Sequence, residues 1–283
     1  MTIERDMYVV PDCVVWRARV VPRPARMPTV IVTEQRELDA CLAAFEHRPP
    51  EALTACREWT VHDLAAHLAG NSSEIARIVE AYAERRAVPE TQPWDVREAQ
   101  FRDLDHSVLL RRMVDETERM NRVLNSVLSA EPDAVVPWTQ RQMSVAKFST
   151  HMRSEFALHR WDLVGDDETS LHLLSQPELT RHAIEVLGRI LLNRGFQAGA
   201  GVPNGFSARL RSPGDEDVVL SVKQGVAQLA LDGDDADSRT LCADDSAARL
   251  LFMWGRRPAD GGRLHSDMPD DQFVSVARLC AGY

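Results

Sequence analysis

The chain is predicted to be a two-domain α + α/β protein, an N-terminal four-helix bundle over residues 31–168 followed by a small α+β domain over 169–283. Three observations carry this. Long segments up to Val164 repeat their apolar residues at helical spacing, Gly165 stops the last of them, and short alternating apolar runs follow.

Residues 1–30 form an extension with Val pairs, several prolines and five arginines (Arg5, Arg17, Arg19, Arg23, Arg26) but no helical period. They read as irregular or strand-like, with the arginines in a solvated tail. The first helix starts after Thr33, with Leu38, Cys41, Leu42 and Phe45 on one face, and Arg48-Pro49-Pro50 ends it. The second opens at Thr60, where Thr60 and Asp63 fit a capping box, and runs to about Arg86. A third is expected from about Arg97 to Ala130, its inner face marked by Leu109, Met113, Met120, Leu124 and Val127. The fourth is expected to begin with Ser144 as its cap and to reach Val164, where Gly165 supplies the C-terminal turn. Four such helices pack most economically as an antiparallel bundle.

Beyond Gly165, a helix near 177–193 opens on Pro177. Alternating runs at 206–210, 218–222 and 226–231, separated by Pro213-Gly214-Asp215 and Lys223-Gln224-Gly225, predict an antiparallel sheet. Helices from Asp244 to Trp254 and Asp270 to Cys280 are expected to pack on it.

Composition narrows the function classes. With 44% hydrophobic and 27% charged residues and no apolar stretch near the length of a membrane span, the chain reads as a globular protein, and the start lacks a signal-peptide block. The cytoplasm is the expected compartment. A net charge of −10 disfavours nucleic acid as a partner. The five cysteines (Cys13, Cys41, Cys56, Cys242, Cys280) are odd in number and contain no CxxC pair, so reduced thiols are expected. Cys56, without an evident activating base, reads as a structural thiol. The acidic run Asp232, Asp234, Asp235, Asp237 lacks the downstream Glu of a calcium loop and reads as a solvated turn.

Chemistry concentrates between Phe148 and Asp162. Phe148, Met152, Glu155, His159 and Asp162 fall on one helical seam, which turns a carboxylate and an imidazole toward the core. His67 sits within the apolar run Val61, Leu64, Leu68 and points inward as well. Two imidazoles and a carboxylate suit zinc or a similar divalent ion and leave positions open for water or substrate. Spacing alone leaves a second interpretation open, in which Glu155 pairs with Arg153 or Arg160 and His159 is a satisfied core histidine. Asp162 can orient a histidine or pair with an arginine. Arg97 and Arg256 are candidates for binding an anionic carboxylate, with surface arginine as the alternative.

The stretches Arg57-Glu58-Trp59-Thr60-Val61-His62-Asp63-Leu64-Ala65-Ala66-His67-Leu68 and Glu155-Phe156-Ala157-Leu158-His159-Arg160-Trp161-Asp162 resemble the two motifs of the mycothiol-dependent, DinB-like maleylpyruvate isomerase family, in order and separation. The resemblance spans about residues 33–283, including Leu251-Phe252-Met253-Trp254-Gly255-Arg256-Arg257-Pro258, and leaves residues 1–30 outside it. It implies a DinB-like bundle, a sterol-carrier-like C-terminal domain, one metal on His67, Glu155 and His159, and mycothiol or a related thiol as cosubstrate. It also implies a small-molecule substrate, with antibiotic biosynthesis among the settings of relatives. A thiol made nucleophilic at a metal can transfer to an electrophile or leave again after bond rotation. S-transfer is the first expectation and cis–trans isomerisation the second. A non-catalytic metal or thiol sensor and a metal-dependent hydrolase are the rivals from other classes.

Overall fold

A computed structural model of the chain describes residues 3–10, 13–20, 35–56, 58–231 and 239–281, with side chains described from residue 35 onward except at 186–190. Arg23, Arg26, Arg57 and the run Asp232, Asp234, Asp235, Asp237 lie outside the described residues. The chain divides into two compact units, Met1–Ile31 and Val32–Tyr283. In the first, β1 (Ile3–Val10) and β2 (Cys13–Val20) pair antiparallel, with the Val9 and Val14 backbones opposite each other.

The second unit opens with helices. α1 is Arg36–Glu46, α2 Val61–Ala83, α3 Trp94–Arg102, α4 His106–Ala130 and α5 Lys147–Val164. The start of α2 follows the sequence closely: the Thr60 side chain accepts from the Asp63 N–H while Asp63 accepts from the Thr60 N–H, a complete capping box. Its apolar face buries Leu64, Leu68, Ile75 and Ile78 against α4, α3 and α5. Each such side chain contributes about 1.5–3 kcal/mol by leaving water. α5 ends on Gly165, whose φ of 77° is the conformation that favours glycine.

Two expected boundaries differ. The predicted third helix is two helices, because Asp103 and Asp105 favour helix ends over interiors. Asp103 closes α3 and Asp105 opens α4. Nor does Ser144 cap the fourth helix: it ends β4 (Arg141–Ser144), which pairs with β3 (Val135–Trp138), and α5 starts three residues later. That hairpin turns on Thr139 and Gln140, both at positive φ, with no Gly or Asn to announce it.

After α5 come α6 (Glu168–Leu174), α7 (Pro177–His182), a π-helical turn (Ala183–Gly188) and α8 (Arg189–Gln197). The sheet is built from β5 (Ser207–Arg211), β6 (Val218–Lys223), β7 (Val226–Leu231), β8 (Arg239–Ala243) and β9 (Leu264–Ser266) in the order β7-β6-β5-β8-β9. It is mixed where an antiparallel sheet was expected, since β8 returns parallel to β5. α9 (Ser246–Met253) lies between β8 and β9 in sequence, and α10 (Asp270–Ala281) packs on α8.

Two apolar cores result, and α5 belongs to both. Phe148, Met152, Phe156 and Leu163 join the core of α1, α2 and α4, while Ala157, Leu158 and Trp161 join that of the sheet and its helices. No helix among the described residues is long and apolar enough to cross a membrane.

α9 ends in a Schellman turn: the Gly255 N–H reaches the Phe252 carbonyl and the Arg256 N–H the Leu251 carbonyl, with Gly255 at φ 71°. A Cβ on Gly255 would sit 2.3 Å from Ala281 Cα. Gly255→Ala is therefore expected to lower unfolding stability by at least about 1–3 kcal/mol. A denaturation midpoint equal to that of the parent would refute the assigned turn.

Candidate functional site

α2 and α5 face each other with their polar residues in register. His67 Nε2 lies 3.3 Å and His159 Nε2 3.5 Å from Glu155 Oε2. One ligating atom from each of His67, Glu155 and His159 falls within 4.8 Å of the others. The alternative partners considered for Glu155 are engaged elsewhere. Arg153 reaches Glu37, Gln176 and Glu178, and Arg160 binds Asp167 and Ser170.

Each imidazole is oriented by a carboxylate on its far side. His67 Nδ1 donates to Glu98 Oε1 at 2.7 Å, and His159 Nδ1 donates to Asp162 Oδ2 at 2.8 Å. Both Nε2 atoms are thereby turned toward Glu155, as in sites where an outer carboxylate fixes the tautomer of a ligand histidine. The donor set is also chemically suited to a divalent metal, with two imidazole nitrogens and a carboxylate oxygen. Asn71, one turn after His67, donates to both His67 Nε2 and Glu155 Oε2. The indole of Trp59 covers the imidazoles, 4.9 Å from the His67 ring and stacked 6.3 Å from that of His159.

The buried charges hold one another. Burial pushes the Glu155 carboxyl up, but hydrogen bonds from His159 and His67 and the nearby His151 outweigh it and keep the carboxyl well below its usual range. Burial opposes the charged form of His159, yet its bonds to Asp162, Cys56 and Glu155 raise its pKa well above the ordinary value. Asp162 works both of its expected roles at once. It accepts from His159, and it takes Arg256 Nε at 2.8 Å and Nη2 at 2.6 Å. Arg256 is thus placed at the site by the Gly255 turn, its side chain 18% exposed, and not on the surface.

Cys56 departs from its structural assignment. It lies half-buried in the loop before α2, donates to Asp162 Oδ2 at 3.1 Å, accepts from Arg256 at 3.5 Å and lies 4.0 Å from His159 Nδ1. Cys56, His159 and Asp162 form a second cluster with metal-ligand geometry that shares His159 with the first. Arg97, from α3, is partly buried with its Nε unpartnered, near enough to Glu98, Glu155 and Glu74 for their charges to bear on it. Sequence reasoning missed Glu98, Asn71, His151 and His182. A signal existed for Asn71, at the i+4 position from His67, and for His151, at the i−4 position from Glu155.

Burial pushes the pKa of His151 down to about 4 and that of His182 to about 3. In the unfolded chain both titrate near ~6.5. Between these values the unfolded chain takes up protons that the folded one refuses, so stability falls as pH is lowered from about 6.5 toward 4. His151 alone contributes on the order of 2–3 kcal/mol to this loss. His159, with its raised pKa, acts above that window. Urea midpoints at pH 7.5 and 4.5 should therefore diverge less in the His151→Gln, His182→Gln double variant than in the parent. Parallel declines would refute the assignment.

The same segment is shared with known proteins. The family model described as the mycothiol maleylpyruvate isomerase N-terminal domain matches residues 31–164, which include His67, Glu155 and His159. Two solved structures, of the mycothiol-dependent maleylpyruvate isomerase and of a His-to-Ala mutant of it, are similar in fold with a TM-score of 0.58. Both are 14% identical and cover 83% of this chain and 91% of theirs. The comparison with curated proteins found no match. Over the segment 31–164 the chain is thus similar to the mycothiol maleylpyruvate isomerase N-terminal domain, and over most of its length it shares the fold of the two solved structures.

Proposed function

We propose that the protein is a metal- and thiol-dependent cis–trans isomerase of a small maleylpyruvate-like acid, with mycothiol or a related low-molecular-weight thiol as cosubstrate. The observation that carries this is the convergence of His67, Glu155 and His159 from facing helices, each imidazole held by its own carboxylate. The names borne by the matched family and the two similar structures support isomerisation over the S-transfer placed first from sequence. The same reading assigns a DinB-like four-helix bundle to 31–168, a sterol-carrier-like domain to 169–283 and a cytoplasmic setting.

His67, Glu155 and His159 would hold one divalent ion, zinc being the best match to the donors. Such an ion would lower the pKa of a thiol beside it and supply a thiolate near neutral pH. The chain's own groups then do the positioning. Glu98 and Asp162 hold each imidazole by Nδ1 so that its Nε2 is correctly turned, and Trp59 shields them from water. Arg256 acts through Asp162, as a positioning residue. Arg97 supplies positive charge for an acid group. In isomerisation the thiol sulfur adds to one carbon of the cis double bond, the bond between the two carbons rotates as a single bond, and the same sulfur leaves. Thiol is not consumed.

His159→Ala is expected to remove most of the metal, read as ions per chain, while far-UV circular dichroism keeps its helical signal because Phe148, Met152 and Phe156 still hold α5. Unfolding of this variant would instead make the site structural.

Turnover of a cis-configured keto diacid should require added mycothiol and persist in a folded, metal-replete variant with all five cysteines replaced by serine, where Cys56→Ser still offers Asp162 a donor through its hydroxyl. Turnover by the parent without thiol, or loss of turnover in the serine variant, would overturn the mechanism. Retention of sulfur in the product would mark S-transfer, and binding without turnover would mark a sensor.

A further inference from the structure

Beside Glu155 stands a group of basic side chains whose buried nitrogens have no partner. His151 lies one turn before Glu155 on α5, with Nδ1 3.8 Å from Glu155 Oε1. His182 closes α7, its ring centroid 5.5 Å from that of His151. Both residues are only 4% exposed. The β3–β4 hairpin lies against them: the Trp138 ring meets that of His151 at 6.0 Å. Arg141 is the direct cross-strand partner of Trp138, so the two side chains share a face of the hairpin. Arg141 bears electrostatically on both histidines and Arg97 on His151.

Among the described residues, His151 Nδ1, His182 Nε2, Arg141 Nε and Nη2 and Arg97 Nε are buried without a hydrogen-bond partner. A buried polar group left unmet loses its hydration without replacement, and the loss is greater where the group is charged. Glu155, the carboxylate within reach of His151, is already engaged with His67, His159 and Asn71. Two guanidinium charges beside imidazoles that can turn an N–H into the same space call for a ligand made of acceptors with negative charge. The planar oxygens of a carboxylate match the guanidinium fork.

We propose that Arg141, His151 and His182, together with Arg97, form a carboxylate-binding subsite that seats an acid group of the substrate beside the His67–Glu155–His159 centre. The identity of the ligand as the substrate's acid rests on the function proposed above, whereas the subsite itself rests on the unpartnered donors. It makes the hairpin a determinant of specificity: an electrophile lacking a carboxylate leaves these donors unmet.

The test uses the full chain loaded with metal, without thiol, titrated calorimetrically with maleate and separately with inorganic phosphate. Maleate is expected to bind the parent and to bind Arg141→Gln at least tenfold more weakly, with a smaller loss in His182→Gln and metal content unchanged in both. If Arg141→Gln does not fold, Arg141→Lys keeps the charge but loses the fork and is expected to fold and bind more weakly. No binding of maleate to the parent, equal affinity in the folded Arg141 variant, or tighter binding of phosphate than of maleate would each overturn the proposal. Arg141-dependent maleate binding in a protein that shows no thiol-dependent turnover would retain the subsite and remove the isomerase function.

Discussion

Two hydrogen bonds from imidazole to carboxylate, His67 to Glu98 and His159 to Asp162, set the conditions for the rest of the site. An imidazole free to rotate offers either nitrogen, and a neutral one must place its proton somewhere. With Nδ1–H committed outward, both Nε2 atoms turn to the space around Glu155. These outer carboxylates are themselves buried, and a buried carboxylate is tolerated only with strong donors. Glu98 meets this need with Arg102 one turn on, Asp162 with Arg256 and Cys56. Features far apart in sequence follow from that need. The break between α3 and α4 lets Glu98 sit on a short helix against α2, and the glycine turn after α9 delivers Arg256 to Asp162.

The position of α5 explains why so much chemistry lies on one helix. A helix that serves two cores has no solvent face to which its polar residues can be turned. Phe156 and Leu163 look to one core, Ala157, Leu158 and Trp161 to the other, and His151, Ser154, His159, Arg160 and Asp162 are all buried between. His159, Arg160 and Asp162 find partners on neighbouring elements, which define the site and its supports, whereas His151 Nδ1 and Ser154 Oγ have no hydrogen-bond partner among the described residues. Arg160, for example, is held by Asp167 and Ser170 at the start of α6. The geometry around Glu155 is thus fixed from both sides by packed structure, which favours the precise placement that a ligand set demands.

What could be read from sequence follows the range of the interactions. The capping box of Thr60 and Asp63, the termination at Gly165, the inward face of His67 and the i, i+4 placement of Glu155 and His159 are local, and local spacing states them. The β3–β4 hairpin was invisible because Thr139 and Gln140 adopt positive φ without the residues that usually signal it. The parallel pairing of β8 with β5 depends on tertiary packing, not on any alternation in the strand itself. Glu98, Cys56 and Arg256 reach the site from α3, a loop and the end of α9, so no window of sequence contains them together. Cys56 in particular lacked an activating partner in its own neighbourhood and gains Asp162 and Arg256 only through the fold.

The charges around Glu155 bind the two halves of the site into one device. Glu98 is matched by Arg102 and Asp162 by Arg256, so neither leaves a net charge for a ligand to answer. In the chain alone Glu155 is balanced by the imidazoles and by the field of the guanidiniums nearby. A divalent ion on His67, Glu155 and His159 would satisfy Glu155 outright and carry positive charge in excess of that single carboxylate. Arg97 would then keep only Glu98 and Glu74 nearby, which are already paired with Arg102 and Arg77, and Glu155 would no longer offset its charge. A desolvated excess of positive charge strengthens attraction for anions well beyond what a surface patch achieves. A thiolate and a carboxylate on the substrate are the two anions that the proposed reaction brings together. The same electrostatic imbalance that favours the ionised thiol therefore favours the acid, and the buried, unpartnered nitrogens of the hairpin side give that acid a defined place.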